Sequence, residues 1–260
     1  MSNPFYDPVE SHLSLERLLT RRVEYEVERK YWRFRADRWY GGIATADCVG
    51  CGLTCRFCWV KDKALHRPDA FSSFYSPRDV ALKLKSIASD RGYGQARVSG
   101  GEPTIARAHL LQLLDHVESL QPLSFILETN GILIGYDRNY ASELSKYRSL
   151  TVRVSLKGCS PSEFERLTGA SSDGFDLQMQ ALRNLVGEGV SCHAAVMRSF
   201  SSSENFQGLL GRLSGIEPSL ASGLEIEEVI MYPRVAKRLE RFGLWPNTSH
   251  RPHEVPAYLV

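Results

Sequence analysis

From Ile43 onward six short apolar runs alternate with stretches of helical periodicity, and no other feature constrains the fold as tightly. The runs are Gly42 to Ala46, Ala96 to Ser99, Ser124 to Glu128, Thr151 to Leu156, Val190 to Met197 and Leu224 to Ile230. Parallel neighbours need a long crossover connection, and a helix supplies it, so successive βα units predict a parallel sheet. Six units are too few to close the usual eight-stranded barrel. The expected fold is therefore α/β, a partial (β/α)6 barrel of TIM type left open on one side. Right-handed crossovers gather the loops that follow the strands on one rim, where ligand sites belong.

The helix starts are written into the chain. Ser76-Pro77-Arg78-Asp79 offers an N-cap, a proline at the first helical position and an acid in the first turn. Ser160-Pro161-Ser162-Glu163 repeats the device as a capping box, and Ser201 with Glu204 offers another. Leu110, Leu113, Leu114 and Val117 form one apolar stripe, and Leu182, Leu185 and Val186 another. Residues 1–40 lie outside this rhythm. Leu13 to Trp39 reads as an amphipathic helix in which Tyr25, Tyr31, Trp32, Phe34 and Trp39 stand among many arginines. Such a helix suits packing on the barrel or a nucleic-acid surface. The expected organisation is an N-terminal helical extension (1–40), the barrel (41–233) and a C-terminal helix and tail (234–260).

The 260 residues carry 32 Lys plus Arg against 30 Asp plus Glu, a formal net charge of +2, and 43% are hydrophobic. That balance excludes intrinsic disorder and a polycationic tail protein. No run approaches the ~20 apolar residues that cross a bilayer. Met1 to Glu10 includes Asp7 and Glu10 and no apolar core for a secretory signal, so a cytoplasmic location with reduced thiols is expected. Four of the six cysteines, Cys48, Cys51, Cys55 and Cys58, fall on the loop after the first strand, which points to metal or catalysis. Cys51, Cys55 and Cys58 are spaced C-x3-C-x2-C and can hold three corners of a [4Fe–4S] cluster. One iron then lacks a protein ligand, and an open position signifies catalysis. The competing reading adds Cys48 to make a non-catalytic four-thiolate zinc or electron-transfer module, with an awkwardly short gap between its two C-x2-C pairs. Cys159 and Cys192 are isolated and read as buried small side chains.

The cysteine motif, with Phe57 before its last member, resembles that of the radical S-adenosylmethionine (SAM) enzymes over roughly Gly42 to Met231. Ser99-Gly100-Gly101-Glu102-Pro103, at the end of the second strand, is similar to the family's GGE motif. The resemblance implies that Cys51, Cys55 and Cys58 hold the cluster and that Gly100, Gly101 and Glu102 hold the SAM amino group. It further implies Asn130, in Thr129-Asn130-Gly131, near SAM, and Lys157 and Arg198 as partners for a carboxylate. Ser155 is placed at the ribose. The implied activity is reductive cleavage of SAM to methionine and a 5′-deoxyadenosyl radical, which abstracts hydrogen from a substrate. A donor such as ferredoxin or flavodoxin would supply the electron. No side-chain base is required, so His12, His66, His109, His116 and His193 are expected to be structural.

Motif order most resembles the glycyl-radical-enzyme activases, which implies a protein or peptide substrate. Ser155-Leu156-Lys157 departs from their Asp-x-Lys. Trp59, directly after the last cysteine, resembles tRNA-modifying members and keeps RNA as a second reading. No membrane partner is expected.

Overall fold

Side chains alternate across a strand, so the residue types along each apolar run decide which face meets the helices. The computed structural model describes residues 5–66, 69, 71–120 and 123–259. The chain opens with α1 (Pro8–Leu13), α2 (Glu16–Leu19), β1 (Thr20–Val23), β2 (Glu26–Asp37) and β3 (Ile43–Cys48). It continues through α3 (Asp62–His66), β4 (Ser73–Tyr75), α4 (Pro77–Arg91), β5 (Gln95–Gly100), α5 (Arg107–Ser119) and β6 (Ser124–Thr129). Next come α6 (Ile132–Tyr136), α7 (Arg138–Leu144), β7 (Leu150–Leu156), α8 (Pro161–Thr168), α9 (Asp173–Gly187) and β8 (Cys192–Met197). The remainder is α10 (Ser203–Ser214), α11 (Pro218–Ser222), β9 (Glu225–Glu227), β10 (Val229–Ile230), α12 (Pro233–Arg241) and β11 (Ser249–His250).

Among the described residues the main sheet runs β1-β2-β3-β5-β6-β7-β8-β9, with β4 also paired to β2. The six strands from β3 to β9 on this path are parallel, giving the expected open partial barrel. The sixth run is split. Glu225–Glu227 pairs with β8, whereas Val229 and Ile230 leave the sheet and pair with Ser249 and His250. Among the described residues no helix is long and apolar enough to cross a membrane.

The N-terminal helical extension is corrected. Past the short α1 and α2, residues 20–37 form an antiparallel hairpin, β1 on β2, and β2 in turn pairs antiparallel with β3. Two residues, Glu24 and Tyr25, make the turn, Glu24 with a φ of 52°. Beyond an irregularity between Tyr31 and Arg33 the period is two: Arg33 and Arg35 reach Asp47 on one face, while Phe34 on the other stacks on Tyr31 and meets Tyr75 edge-on. A run dense in Val, Tyr, Trp and Phe prefers this pleated, half-buried setting to a helix. The charges concealed that period.

In the parallel strands the outer face is apolar. Ala44, Ala46, Val98, Phe125, Leu127, Val152, Val154 and Val196 are fully buried beneath the helices. The concave face is polar, carrying Asp47, Arg97, Glu128, Arg153 and Glu227, where an ordinary barrel stacks branched apolar side chains. Two caps form as expected: Ser76 accepts from Asp79 N at 3.0 Å and Ser160 from Glu163 N at 3.3 Å. The third shifts by one residue. Ser202 accepts from Asn205 N at 3.1 Å, and Ser201 instead donates to Glu163 at 2.5 Å.

α6 lies so close to α9 that a Cβ on Gly135 would meet Leu177 O at 2.0 Å. We expect Gly135→Ala to cost about 1–3 kcal/mol by forcing the two helices apart. Urea unfolding should show a lowered midpoint with an unchanged slope.

Candidate functional site

Two loops on the carboxyl rim are joined backbone to backbone. Gly101 N donates to Cys48 O at 2.9 Å and Glu102 N to Gly50 O at 2.7 Å, carrying the β3–β5 pairing beyond the strands. A Cβ on Gly101 would lie 2.4 Å from Gly50 O, so only glycine allows this approach. The Glu102 carboxylate is 2% exposed and committed inside the protein. Oε1 accepts from Thr104 N (3.1 Å), Thr104 Oγ1 (2.7 Å) and Thr129 Oγ1 (2.6 Å), and Oε2 accepts from Asn130 N (2.7 Å). It therefore ties the loop after β5 to the loop after β6.

A cavity of about 630 Å³ opens onto these loops. Cys51, Phe57, Cys55 and Cys58 line it together with Gly100, Gly101, Glu102, Asn130, Ser155 and Lys157. Arg198 stands apart: its guanidinium donates to Ser201 O and lies over the Phe206 ring, 4.8 Å from the centroid. Burial pushes all three thiols up. Cys55 reaches about 12 even though the Lys157 ammonium pulls the other way, and Cys51 stands well above the usual thiol range. Bound metal reverses that preference, because a coordinating thiol is deprotonated outright.

Cys48 faces elsewhere. As the last residue of β3 it points to the outer, helix-covered face, fully buried, and its Sγ accepts from Arg29 Nη2 at 3.3 Å. Among the described residues no three His, Cys, Asp or Glu side chains converge on a single-ion position. Three corners of a cubane lie further apart than the ligands of one ion, and the donor set of three soft thiols on one wall fits a cluster.

The cysteine loop is braced from three sides. Carbonyls at the end of α8, which have no helical partner, take its donors: Thr54 Oγ1 to Thr168 O (2.8 Å), Arg56 N to Leu167 O (2.8 Å) and Arg56 Nη1 to Arg166 O (2.7 Å). Arg238 of α12 donates to Cys58 O at 2.6 Å. From α1, Ser11 Oγ donates to Gly52 O at 2.8 Å, and the His12 ring packs where a Cβ on Gly52 would lie, 2.3 Å from Nδ1. His12 is fully buried and held neutral by that burial. His109 is structural, as expected: it pairs with Val27 O and the Tyr31 hydroxyl, and burial lowers its pKa to about 3. His193 pairs with Glu225 at 3.3 Å, and the His66 side chain lies outside the described residues.

The cavity floor is a chain of ion pairs. Asp47 accepts from Arg33 (2.6 Å) and Arg35 (2.9 Å), Arg35 also pairs with Asp37, and Asp37 accepts from Arg97 (2.6 Å). Arg97 continues to Glu128 at 2.5 Å, and Arg153 binds Glu225 (2.7 Å) and Glu227 (2.9 Å). Burial raises the Glu128 and Glu225 carboxyls, but their arginines prevail. Glu128 falls below its usual range, and Glu225, beside Arg153 and His193, falls to about 2. Ser155 Oγ donates to Glu227 at 3.1 Å and accepts from Lys157 Nζ at 2.5 Å.

A family model described as the Radical SAM superfamily matches residues 47–201, more than half of the chain, and the chain belongs to that superfamily. Its members use a [4Fe–4S] cluster and SAM. The chain is 29% identical over 119 residues to a probable GTP 3',8-cyclase of Methanococcus vannielii, covering 46% of this chain and 37% of that protein. It is 30% identical over 120 residues to one from Methanothermobacter thermautotrophicus, covering 45% and 35%. The matched part is thus little more than a third of those relatives' length. In fold it is similar to Streptococcus suis SuiB bound to S-adenosylmethionine (TM-score 0.58, 20% identity, 75% of this chain and 44% of that one). It is equally similar to a spore photoproduct lyase variant with AdoMet and a dinucleoside spore photoproduct (TM-score 0.58, 15% identity, 81% and 63%).

Cys48→Ala is expected to retain a full complement of iron and sulfide after anaerobic reconstitution, and Cys55→Ala to lose it. Chemical iron and sulfide analysis together with visible absorbance checks both. Both Glu102 oxygens face a backbone N–H, so either orientation of the amide in Glu102→Gln opposes donor to donor. That variant should lose about 1–3 kcal/mol of stability in the metal-free protein, read from denaturant midpoints.

Proposed function

We propose that this chain is a radical SAM enzyme that abstracts hydrogen from an anionic, ring-bearing substrate of nucleotide type. Cys51, Cys55 and Cys58 hold the cluster, and the fourth iron is left to SAM. The Gly100–Gly101 backbone, Ser155 and Lys157 orient SAM against it, with Lys157 the cation for its carboxylate, while Asn130 lines the same cavity with its polar groups held by protein partners. When bound, cluster and SAM supply reductive C–S cleavage and the radical that takes the hydrogen atom. The protein's part is to bind, to orient and to keep water out.

The observation that carries the substrate reading is the charge at the cavity mouth. Asp37, Asp47, Glu128, Glu225 and Glu227 are already paired with arginines. Arg38, Lys61 and Arg234 have no carboxylate partner among the described residues, yet all three line the cavity beside Trp32, Trp39 and Trp59. Lys61 lies 5.5 Å from the Trp32 ring centroid and Arg38 5.5 Å from that of Trp39, while Trp59 is 39% exposed. Cations without a carboxylate partner, set beside half-buried Trp32 and Trp39 and exposed Trp59, suit a phosphate attached to a base. The name of the curated relatives, GTP 3',8-cyclase, supports the same chemistry. The protein or peptide substrate of the activase-like reading rests on motif order and on the fold shared with SuiB, which is known with a precursor peptide. A neutral peptide backbone makes no use of these cations.

Anaerobic turnover with SAM and reductant tests the reading, in separate arms with nucleosides, nucleotides, a short RNA and peptides. Nucleoside triphosphates should raise 5′-deoxyadenosine formation about tenfold or more, with deuterium transferred from labelled ribose, and Arg38→Ala or Arg234→Ala should raise KM severalfold by loss of phosphate pairing. A response to RNA alone would move the substrate to nucleic acid. Equal response to nucleosides and nucleotides, or response only to peptides, would overturn the proposal.

A further inference from the structure

Asn130 has every side-chain hydrogen bond assigned, and one of them reaches a cluster thiol. Its Oδ1 accepts from Ile132 N at 3.0 Å, which fixes which end of the amide is nitrogen. Nδ2 lies 2.8 Å from His12 Nε2 and 3.8 Å from Cys51 Sγ. On the imidazole's other side, Nδ1 lies 2.5 Å from Pro8 O, an acceptor, so Nδ1 carries the proton and Nε2 presents a lone pair. Two Nδ2 hydrogens therefore meet two acceptors, one on the imidazole and one on the sulfur. The main chain of the residue is equally occupied, its N–H by Glu102 and its carbonyl by Gln178 Nε2 at 2.5 Å.

We infer that His12 is a positioning residue for the cluster. By accepting one amide hydrogen it turns the other onto Cys51 Sγ, and so, beside the Leu53 N–H at 3.4 Å, shifts the reduction potential. The inference rests on Cys51 being a cluster ligand. A donor aimed at a thiolate favours the more negative, reduced cluster, so this hydrogen bond raises the potential and eases electron uptake. The device sits in residues 8–12, outside the barrel, on the short helix that also clamps Gly52.

The test is an EPR-monitored redox titration of the reconstituted protein without SAM, each variant first shown to hold the iron of the parent. His12→Phe keeps a flat ring against Gly52 and removes both nitrogens. It should lower the equilibrium constant for reduction about tenfold, about 59 mV for one electron. His12→Gln restores an acceptor and should return the potential to that of the parent. Asn130→Ser keeps a hydroxyl for Ile132 N and should match His12→Phe, while the double variant should fall no further than Asn130→Ser. Should His12→Phe lose iron, His12→Met, which is slimmer and a poor acceptor, takes its place with the same expected shift. An unchanged potential in the iron-loaded variant, an equal fall in His12→Gln, or additive shifts in the double variant would overturn the inference. A parent protein that binds no cluster would refute the cysteine assignment instead.

Discussion

The two backbone hydrogen bonds between the cysteine loop and the Gly-Gly-Glu loop are the contact on which the site depends. Cys48 O and Gly50 O accept from Gly101 and Glu102, and the space between the loops admits no Cβ at Gly101. Parallel β3 and β5 bring the loops side by side, and these bonds make them one rigid piece. Glu102 then fastens the loop after β6 to the same piece through Thr129 and Asn130. Three thiols and the groups set to receive SAM therefore keep fixed positions relative to one another. Such preorganisation is what orientation-dependent chemistry requires.

Around that piece the chain supplies two kinds of support. Buried Arg29 on β2 reaches Pro103 O (2.6 Å), Glu102 O (2.7 Å) and Cys48 Sγ, bolting the N-terminal hairpin beneath both loops. On the concave side the ion-paired floor replaces the apolar layers of an ordinary barrel. Its arginines and carboxylates largely satisfy one another, so the polar surface is organised before any substrate arrives. A preformed polar floor spares the reaction the reorganisation that water would demand.

Much of this was legible in the sequence. Strand positions, the parallel order and the cysteine and glycine motifs follow from apolar runs, capping signals and spacing. Even the floor left a trace, because Thr151-Val152-Arg153-Val154-Ser155-Leu156 alternates polar with apolar residues as a strand with one polar face must. The hairpin escaped because its arginines masked a period of two. The partners of His12 and Glu102 escaped in a deeper sense, since a buried histidine accepting from an asparagine 118 positions away, or a carboxylate serving four donors, is fixed by tertiary contacts that no local pattern encodes. Arg198 shows the converse. Its strand-end position suggested the cavity, but a carbonyl in its own loop and the Phe206 ring hold it.

The central claim is that three cysteines from one loop bind the cluster and leave one iron for SAM. Electron–nuclear double resonance on the reduced protein, with SAM labelled with ¹⁵N at its amino group, tests it most directly. The account predicts nitrogen hyperfine coupling to the cluster, showing the amino group on the open iron. Absence of that coupling, with a fourth cysteine sulfur on that iron, would contradict it.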